Sequence, residues 1–150
     1  MKYNISEDSG TSITVAPTQI KFKKLIPEAQ VPFKKYTPDA GFDLYCTSIV
    51  KKNKYIEYHT GLAMEIPVGM VGIIVPRSSI TDYDLMLKNS LGIINSGVSE
   101  EIILYFSDVK EYSMTQKKEI YSVGDSIGVI FFIEVPNVNL CEVEDFDEIQ

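Results

Sequence analysis

The sequence is poor in the residues on which several common kinds of site depend. It contains a single histidine, His59, so neither a multi-histidine metal site nor a histidine-based catalytic triad can be assembled within one chain. The two cysteines, Cys46 and Cys141, lie far apart and form no CxxC pair, which argues against a zinc site or a disulfide framework and fits a reducing, cytoplasm-like compartment. The phosphate-binding signatures GxxxxGK[ST] and GxGxxG are also missing. We therefore expect no metal site built by the protein alone.

Long apolar runs and an excess of basic residues are missing as well. No stretch approaches the ~20 apolar residues of a membrane-spanning helix. The first ten residues, MKYNISEDSG, lack the apolar segment of a secretory signal. The net charge of the 150 residues is -7, whereas binding along nucleic acid phosphates needs a basic surface. Neither a membrane nor a nucleic acid is expected as a partner.

The chain has the length of one domain, with polar segments at both ends. Residues 1–18 are mostly small and polar and predict a flexible N-terminal arm. Residues 141–150, CEVEDFDEIQ, carry five acidic residues and no basic one, so they account for -5 of the net charge of -7 and predict an acidic tail. The predicted folded domain therefore spans residues 19–140.

Between these ends the pattern is typical of β-strands. Short runs rich in Ile, Val, Phe and Tyr are separated by Gly, Pro, Asn and Asp. The best helical candidate, residues 81–90, places its apolar residues consecutively rather than at helical spacing. An all-β sandwich or barrel follows. Its predicted strands cover residues 20–25, 42–45, 55–58, 71–75, 101–106 and 129–135.

Three places could carry chemistry. Asp43 lies inside an apolar strand, where a carboxylate must be paired, solvated or functional. Arg77, the only arginine, is followed by Ser78 and Ser79, and this group could form either a phosphate or carboxylate cradle or a plain turn. Residues 91–102 predict a β-hairpin that turns at Asn95, Ser96 and Gly97.

Taken in order, these segments resemble the trimeric deoxyuridine triphosphate nucleotidohydrolases (dUTPases), many of which come from viruses and phages. The turn at residues 40–44 matches the family's Ala-Gly-x-Asp-Leu motif. Residues 59–79, HTGLAMEIPVGMVGIIVPRSS, are similar to the family's TGIAMEIPxGYxGxIxPRSS. The Asn-Ser-x-Gly-x-Ile-Asp run is matched up to its last residue from Asn89 to Ile94, and residues 124–132 resemble the GDRIAQL motif. The resemblance covers residues 20 to 148.

The resemblance implies a distorted jelly-roll or β-sandwich subunit that forms a homotrimer. In the family, each active site draws on three chains: the second and fourth motifs hold the triphosphate, and the third motif of a neighbour receives uracil and deoxyribose. Magnesium is held mainly by the triphosphate and water, so it enters with the nucleotide rather than as a cofactor of the protein. The residues placed on substrate-binding positions are Asp43, Arg77, Ser78, Ser79, Asn89, Gly92, Asn95 and Val98.

Several positions depart from the family pattern. The aspartate that acts as general base corresponds to Asn95, whose carboxamide cannot accept a proton at neutral pH. The tyrosine that packs on the sugar and excludes ribose corresponds to Val98, and a glycine two residues later corresponds to Glu100. The closing arm of the form RGxGGFGSTG is not found before Gln150. The remaining departures are Asp84 in the second motif and Ser126, Gly128 and Val129 in the fourth.

These departures lead to the expectation of a catalytically inactive protein of dUTPase fold, with no intact catalytic residue. It would act as a trimeric structural or interaction protein, a phage or viral virion component or a regulator, with the terminal arms docking to other proteins. It would be found in the host cytoplasm or in the virion. One alternative is a dUTP diphosphatase that hydrolyses dUTP to dUMP and pyrophosphate. Another is a nucleotide binder without turnover.

Overall fold

A computed structural model describes residues 3–6, 12–109 and 120–146. In this part of the chain the secondary structure consists of antiparallel β-strands and one short 3₁₀ helix, η1 (Ser78–Asp82). The strands form two main sheets and one separate two-stranded sheet. The all-β class predicted from the sequence is confirmed.

The larger sheet has five strands and is organised around one long central strand. The central strand β6 is ten residues long, so β5 pairs with its first half and β3 with its second half, while β10 covers its other edge. The short strand β8 pairs with the far side of β10. The bounds are β3 (Lys21–Lys24), β5 (Ser48–Lys51), β6 (Ile56–Glu65), β8 (Leu85–Leu87) and β10 (Glu101–Asp108).

The smaller sheet has four strands in the order β4-β11-β7-β9. Its inner strands are the most continuously apolar segments of the chain, as is expected for strands that have a paired neighbour on each side. The bounds are β4 (Phe42–Tyr45), β7 (Met70–Val75), β9 (Gly92–Asn95) and β11 (Ser126–Glu134).

The core consists of side chains that alternate inward from the two main sheets. At its centre, the Tyr58 ring packs edge-on against the rings of Phe106 and Tyr121, with centroids 5.5 and 5.7 Å away. The smaller sheet contributes Leu44, Ile127 and Ile130, all with no measurable exposure. The apolar core therefore joins the two sheets into one sandwich.

Residues 81–90, the best helical candidate, hold the end of η1 and strand β8, as their lack of helical spacing indicates. One local prediction is wrong: residues 91–102 form no hairpin, because β9 pairs with β7 in one sheet while β10 pairs with β6 and β8 in the other. The residues between β9 and β10 give the chain enough length to change sheets, so the turn at Gly97 (φ 81°) belongs to a connection between the layers.

The terminal segments lie outside the sandwich. Strands β1 (Tyr3–Ser6) and β2 (Ser12–Val15) pair with each other within the predicted arm. In the predicted tail, residues 141–146 are exposed, and residues 147–150 lie outside the described residues. The division at residues 18 and 141 remains a prediction. Within the described ranges, no helix is long and apolar enough to cross a membrane.

Candidate active site

One cleft of about 400 Å³ lies where β4 begins and β7 ends, and we call it the arginine cleft. Two basic residues, Lys35 and Arg77, line it together with Ser78, Asp39 and Asp43. The two acidic residues balance the two cations, and Asp43 is paired with Arg77. Because cations and hydroxyls bind phosphate oxygens, Lys35, Arg77 and Ser78 are the candidate anion-binding residues of this cleft.

Arg77 is held in place by Asp43. The Nε of Arg77 lies 3.5 Å from Oδ1 of Asp43, and their side chains are 39% and 22% exposed. The backbone of Asp43 exchanges two hydrogen bonds with Phe33, of 2.6 and 3.2 Å, which fixes the strand that carries the carboxylate. The half-exposed pair contributes about 0–1 kcal/mol of stability, so its main effect is to orient the guanidinium.

Gly41 is required at this place because the backbone of β11 passes close to it. A Cβ atom at Gly41 would lie 2.9 Å from the carbonyl oxygen of Ile130 and in collision with the side chain of Val129. Since a backbone atom cannot move aside cheaply, only glycine fits here. This close approach places Asp43 beside the arginine cleft.

The two serines after Arg77 belong to different surroundings. Ser78 begins η1, whose first turn is closed by the backbone N–H of Ile80 donating to the carbonyl of Arg77 at 3.0 Å. Ser78 lines the arginine cleft, whereas Ser79 is half-buried and is not among the lining residues of the clefts described here. The structure thus brings Asp43, Arg77 and Ser78 together and leaves Ser79 aside.

A second cleft of about 240 Å³ opens between β9 and β10, and we call it the asparagine cleft. Asn89 and Asn95 line it together with Gly92 and Val98. All four residues were predicted from the sequence as substrate-binding positions, and the fold brings them together. Two acidic residues also line it: Glu100, which the motif comparison places here in place of a glycine, and Glu101, which the sequence alone did not single out.

The loop that carries Asn89 is held in an unusual conformation. Ser90 has φ 63°, the left-handed region that favours glycine. The loop is closed by the backbone N–H of Leu91, which donates to the carbonyl of Asn89 at 2.6 Å, and by that of Lys88, which donates to Tyr105 at 2.8 Å. Such a conformation costs on the order of 1–3 kcal/mol and persists where surrounding contacts enforce it. The contacts with β10 therefore fix the position of Asn89.

Glu101 is held by the strand next to it. Its Oε1 accepts a hydrogen bond from the backbone N–H of Gly61 at 2.9 Å, and its Oε2 lies 3.1 Å from Nδ1 of His59. The other ring nitrogen of His59 lies 3.3 Å from Glu57. The only histidine thus bridges two half-buried carboxylates on β6 and β10, where it joins the strands beside the asparagine cleft.

Packing accounts for one departure of the fourth motif. A Cβ atom at Gly128 would lie 2.6 Å from Cδ2 of Leu104, which projects from the opposite sheet. The space that the family's alanine fills is therefore occupied by a leucine side chain in this chain. Ser126, where the family has arginine, has a buried hydroxyl without a hydrogen-bond partner among the described residues.

The arginine cleft and the asparagine cleft are separate within one subunit. They share no lining residue, and the neighbouring residues Ile74 and Val75 of β7 line one cleft each. Successive side chains of a strand point to opposite faces of the sheet, so the two clefts open on opposite sides of the smaller sheet. One subunit therefore presents two half-sites rather than one complete pocket.

The chain matches the family model described as dUTPase over residues 27–150. The deoxyuridine 5'-triphosphate nucleotidohydrolase of Mycobacterium leprae is 33% identical over 134 residues, which covers 87% of this chain and 84% of that protein. The chain belongs to the dUTPase family. The corresponding protein of Corynebacterium diphtheriae is 29% identical over 135 residues, covering 88% of this chain and 86% of that protein.

Solved dUTPase structures share the fold. A dUTPase mutant of Staphylococcus bacteriophage 80alpha with dUpNHpp superposes with a TM-score of 0.74 at 19% identity, covering 89% of this chain and 93% of that chain. A dUTPase variant from phage phi11 of S. aureus, described for its coordination of a structural Mg(II) ion, gives a TM-score of 0.71 at 19% identity, covering 87% of this chain and all of that one. The predicted dUTPase-like sandwich is thereby confirmed.

The expectation of a catalytically inactive structural or interaction protein is wrong. The relatives matched across most of the chain are nucleotidohydrolases, and they favour the alternative of a dUTPase. The virion role depended on inactivity and has no other support. The physical reason for the error is that the departures were counted only as losses, without the arrangement that the fold gives them. The structure places Glu100, one of these departures, and Glu101 in the cleft that holds Asn95.

Proposed function

We propose that this member of the dUTPase family hydrolyses dUTP to dUMP and pyrophosphate. The observation that carries the proposal is the pair of half-sites in a chain of this family. One cleft is lined by Arg77 and Lys35 and suits a polyphosphate, and the other is lined by two asparagines and suits a nucleoside. The family motifs predicted Asp43, Arg77 and Ser78 of the first cleft and both asparagines of the second, whereas Lys35 enters only through the fold.

In the proposed site, the triphosphate lies in the arginine cleft. The Nε of Arg77 faces Asp43, and the guanidinium carries five N–H donors in all, some of which can bind phosphate oxygens. Lys35 adds a second cation and Ser78 a hydroxyl.

The nucleoside lies in the asparagine cleft. The carboxamides of Asn89 and Asn95 can each donate and accept hydrogen bonds, as the edge of a uracil ring and the hydroxyl of a deoxyribose require. Gly92 leaves the floor of the cleft open, because a Cβ atom there would already lie 3.2 Å from Cβ of Ile74. Val98 adds an apolar surface for the sugar.

A complete site requires more than one subunit. The two clefts open on opposite faces of the smaller sheet, so a single bound nucleotide reaches both only when clefts of different chains meet. A ring built from identical head-to-tail contacts satisfies this condition, and a trimer is the ring that the family resemblance implies. We propose a homotrimer with the arginine cleft of one subunit facing the asparagine cleft of another.

Magnesium is proposed to enter with the nucleotide. Among residues 3–6, 12–109 and 120–146, no group of three His, Cys, Asp or Glu side chains could hold a metal ion. We therefore expect Mg²⁺ to be bound through the phosphates and water. The proposed substrate is the Mg²⁺ complex of dUTP. The ion supplies charge neutralisation along the triphosphate. The expectation that no cofactor takes part finds no support among relatives that include an Mg(II)-binding dUTPase.

The proposed compartment is the cytoplasm, where nucleotides are metabolised. The arm (residues 1–18) and the tail (residues 141–150) remain candidate docking segments for other proteins. Support comes from the apolar side chains that the C-terminal segment exposes: Leu140 is 100% and Phe146 is 93% exposed.

Pyrophosphate release from Mg²⁺–dUTP, with dUMP identified by ion-exchange chromatography, tests the function. The unaltered protein is expected to form dUMP and pyrophosphate in equal amounts. Arg77→Ala is expected to lose at least tenfold in kcat/KM, because it removes the only guanidinium of the arginine cleft. Lys54→Ala, which removes an exposed cation that lines neither cleft, is the matched control and should leave turnover unchanged. Binding of dUTP without pyrophosphate release would instead favour a nucleotide binder.

A further inference from the structure

We propose that Glu100 is the general base of this chain and accepts the proton of the attacking water while Asn95 orients that water. This inference rests on the proposed function. Its starting point is that Glu100 and Asn95 line the same cleft. Asn95, where the family motif has a carboxylate, thus shares a cleft with the carboxylate-bearing residue Glu100.

Asn95 by itself cannot perform the proton transfer. A carboxamide donates and accepts hydrogen bonds but binds no proton at neutral pH. It ends β9 at the mouth of the cleft, where its backbone carbonyl accepts a hydrogen bond from the N–H of Val98 at 3.4 Å. Its exposed side chain is therefore well placed to hold a water and needs a carboxylate partner for catalysis.

Of the two carboxylates in the cleft, Glu101 is already occupied. One of its oxygens accepts from the backbone of Gly61 and the other lies 3.1 Å from His59. Taking up a proton would remove an acceptor from this strand contact. Glu101 therefore serves as a structural bridge between β6 and β10.

Glu100 has the opposite character. It is exposed. It ends the connection between β9 and β10, immediately before β10 begins. Among the described residues its carboxylate has no ion pair and no hydrogen bond, so none of these residues competes with a molecule in the asparagine cleft for its oxygens.

The cleft has room for the water that this chemistry needs. Its volume of about 240 Å³ exceeds the share of one water, which is about 30 Å³ in the liquid. A water between the Asn95 carboxamide and the Glu100 carboxylate would donate to both oxygens and keep a lone pair for attack.

The step balances as a hydrolysis. The water oxygen forms a bond to the α-phosphorus of dUTP, and its proton passes to the Glu100 carboxylate. The bond from the α-phosphorus to the bridging oxygen breaks, and its electron pair leaves with pyrophosphate. Glu100 then releases the proton to solvent, so the products are dUMP, pyrophosphate and one proton.

The first test is Glu100→Gln, which keeps the shape of the side chain and removes its basicity. We expect kcat for Mg²⁺–dUTP to fall on the order of 10²–10⁴-fold, as for loss of a general base, while KM changes by less than about threefold. Glu142→Gln removes one negative charge from the exposed tail and is the matched control, with kcat unchanged. Equal melting temperatures of the three proteins check that the fold is intact.

A rescue experiment distinguishes the role of Glu100 as a general base from a role in shaping the cleft. The double variant Glu100→Gln with Asn95→Asp returns a carboxylate to the cleft at the neighbouring position. We expect it to regain at least tenfold in kcat over Glu100→Gln alone. A fall without this rescue overturns the assignment, because a missing carboxylate would then not be the defect.

The outcomes also distinguish this inference from the proposed function. Full kcat in Glu100→Gln, with an active unaltered protein, overturns the role of Glu100 and leaves the function standing. No pyrophosphate from the unaltered protein, together with turnover by Asn95→Asp alone, overturns both, since Glu100 would then be unable to serve as a base.

Discussion

Under the proposed function, Val98 is the residue that contacts the sugar of the bound nucleotide. The dUTPase resemblance places an aromatic ring at this position, where it packs on deoxyribose and excludes ribose, whereas here a smaller side chain, 40% exposed, lines the cleft. A smaller contact leaves space for a 2'-hydroxyl, and apolar pockets discriminate poorly against an added hydroxyl.

From this space we predict weak discrimination between dUTP and UTP. Val98→Tyr is expected to raise the ratio of kcat/KM for dUTP to that for UTP by at least tenfold, through a loss of UTP turnover. Parallel steady-state assays with the two nucleotides provide the measurement. A ratio that is unchanged in Val98→Tyr would mean that another residue reads the sugar.

Tyrosines in the core make the fold sensitive to alkaline pH. Tyr121 is 1% exposed, and burial raises the pKa of its phenol to about 12. Burial also raises the pKa of Tyr58, with the nearby Cys46 as a lesser cause. Unfolded tyrosine titrates near 10. Because the folded pKa values are the higher ones, the stabilisation is complete below about pH 10 and is lost as the pH rises towards 12.

The expected result is a urea midpoint that stays constant from about pH 7 to 9 and falls above about pH 10. Tyr121→Phe should weaken this fall, since it removes one of the titrating groups. The hydroxyl of Tyr121 has no hydrogen-bond partner among the described residues, so its removal should cost little at neutral pH. An identical alkaline fall in the variant would contradict the account.

At the scale of the element, local pattern predicted the strands that have an apolar inner face. Residues 42–45 match β4 to the residue, and the runs at 71–75 and 101–106 fall inside β7 and β10. The short edge strand β8 was missed because three residues carry too little period-2 signal. Strand β5 was missed for the same reason, since its four residues alternate only partly in burial.

Site residues could be predicted where they follow one another within a motif. They could not be predicted where the site depends on how the two sheets come together. Arg77 and Ser78 follow one strand directly, so sequence order alone places them together. The path of residues 96–100 from one sheet to the other is a tertiary property, decided by pairing of β9 with β7 and of β10 with β6. The sequence could therefore align Glu100 with the site, but it could not show that Glu100 shares one cleft with Asn95 and Glu101.

The packing of Gly128 against Leu104 yields a prediction for the two sheets. Gly128→Ala restores the residue type typical of the family but pushes a methyl group against Leu104, and we expect a loss of about 1–3 kcal/mol in the free energy of unfolding. Leu104→Val alone should also destabilise by about 1 kcal/mol, because it removes a buried methylene.

A double-mutant cycle by urea denaturation measures the coupling. The double variant should lose at least about 1 kcal/mol less than the sum of the single losses, since each change makes room for the other. Strictly additive losses would show that the two side chains do not compete for the same space.

In the whole assembly, the proposed dUTP-hydrolysing site is formed by clefts of different chains. Within a subunit, the clefts share no lining residue and open on opposite faces of the smaller sheet. The claim predicts that a subunit defective in one cleft can be complemented by a subunit defective in the other. Two variants provide the defective subunits. Arg77→Ala disables the arginine cleft, and Val98→Glu places a charge in the asparagine cleft that repels the nucleotide.

Pyrophosphate release by mixed subunits is the most direct measurement. Each variant assembled alone is expected to keep at most about a tenth of the unaltered activity, whereas co-expression in equal amounts should leave about a quarter of the sites with both clefts intact. About a quarter of the unaltered activity is therefore expected in the mixture. A mixed assembly with no more activity than the separate variants, although both kinds of subunit are present in it, would contradict the account.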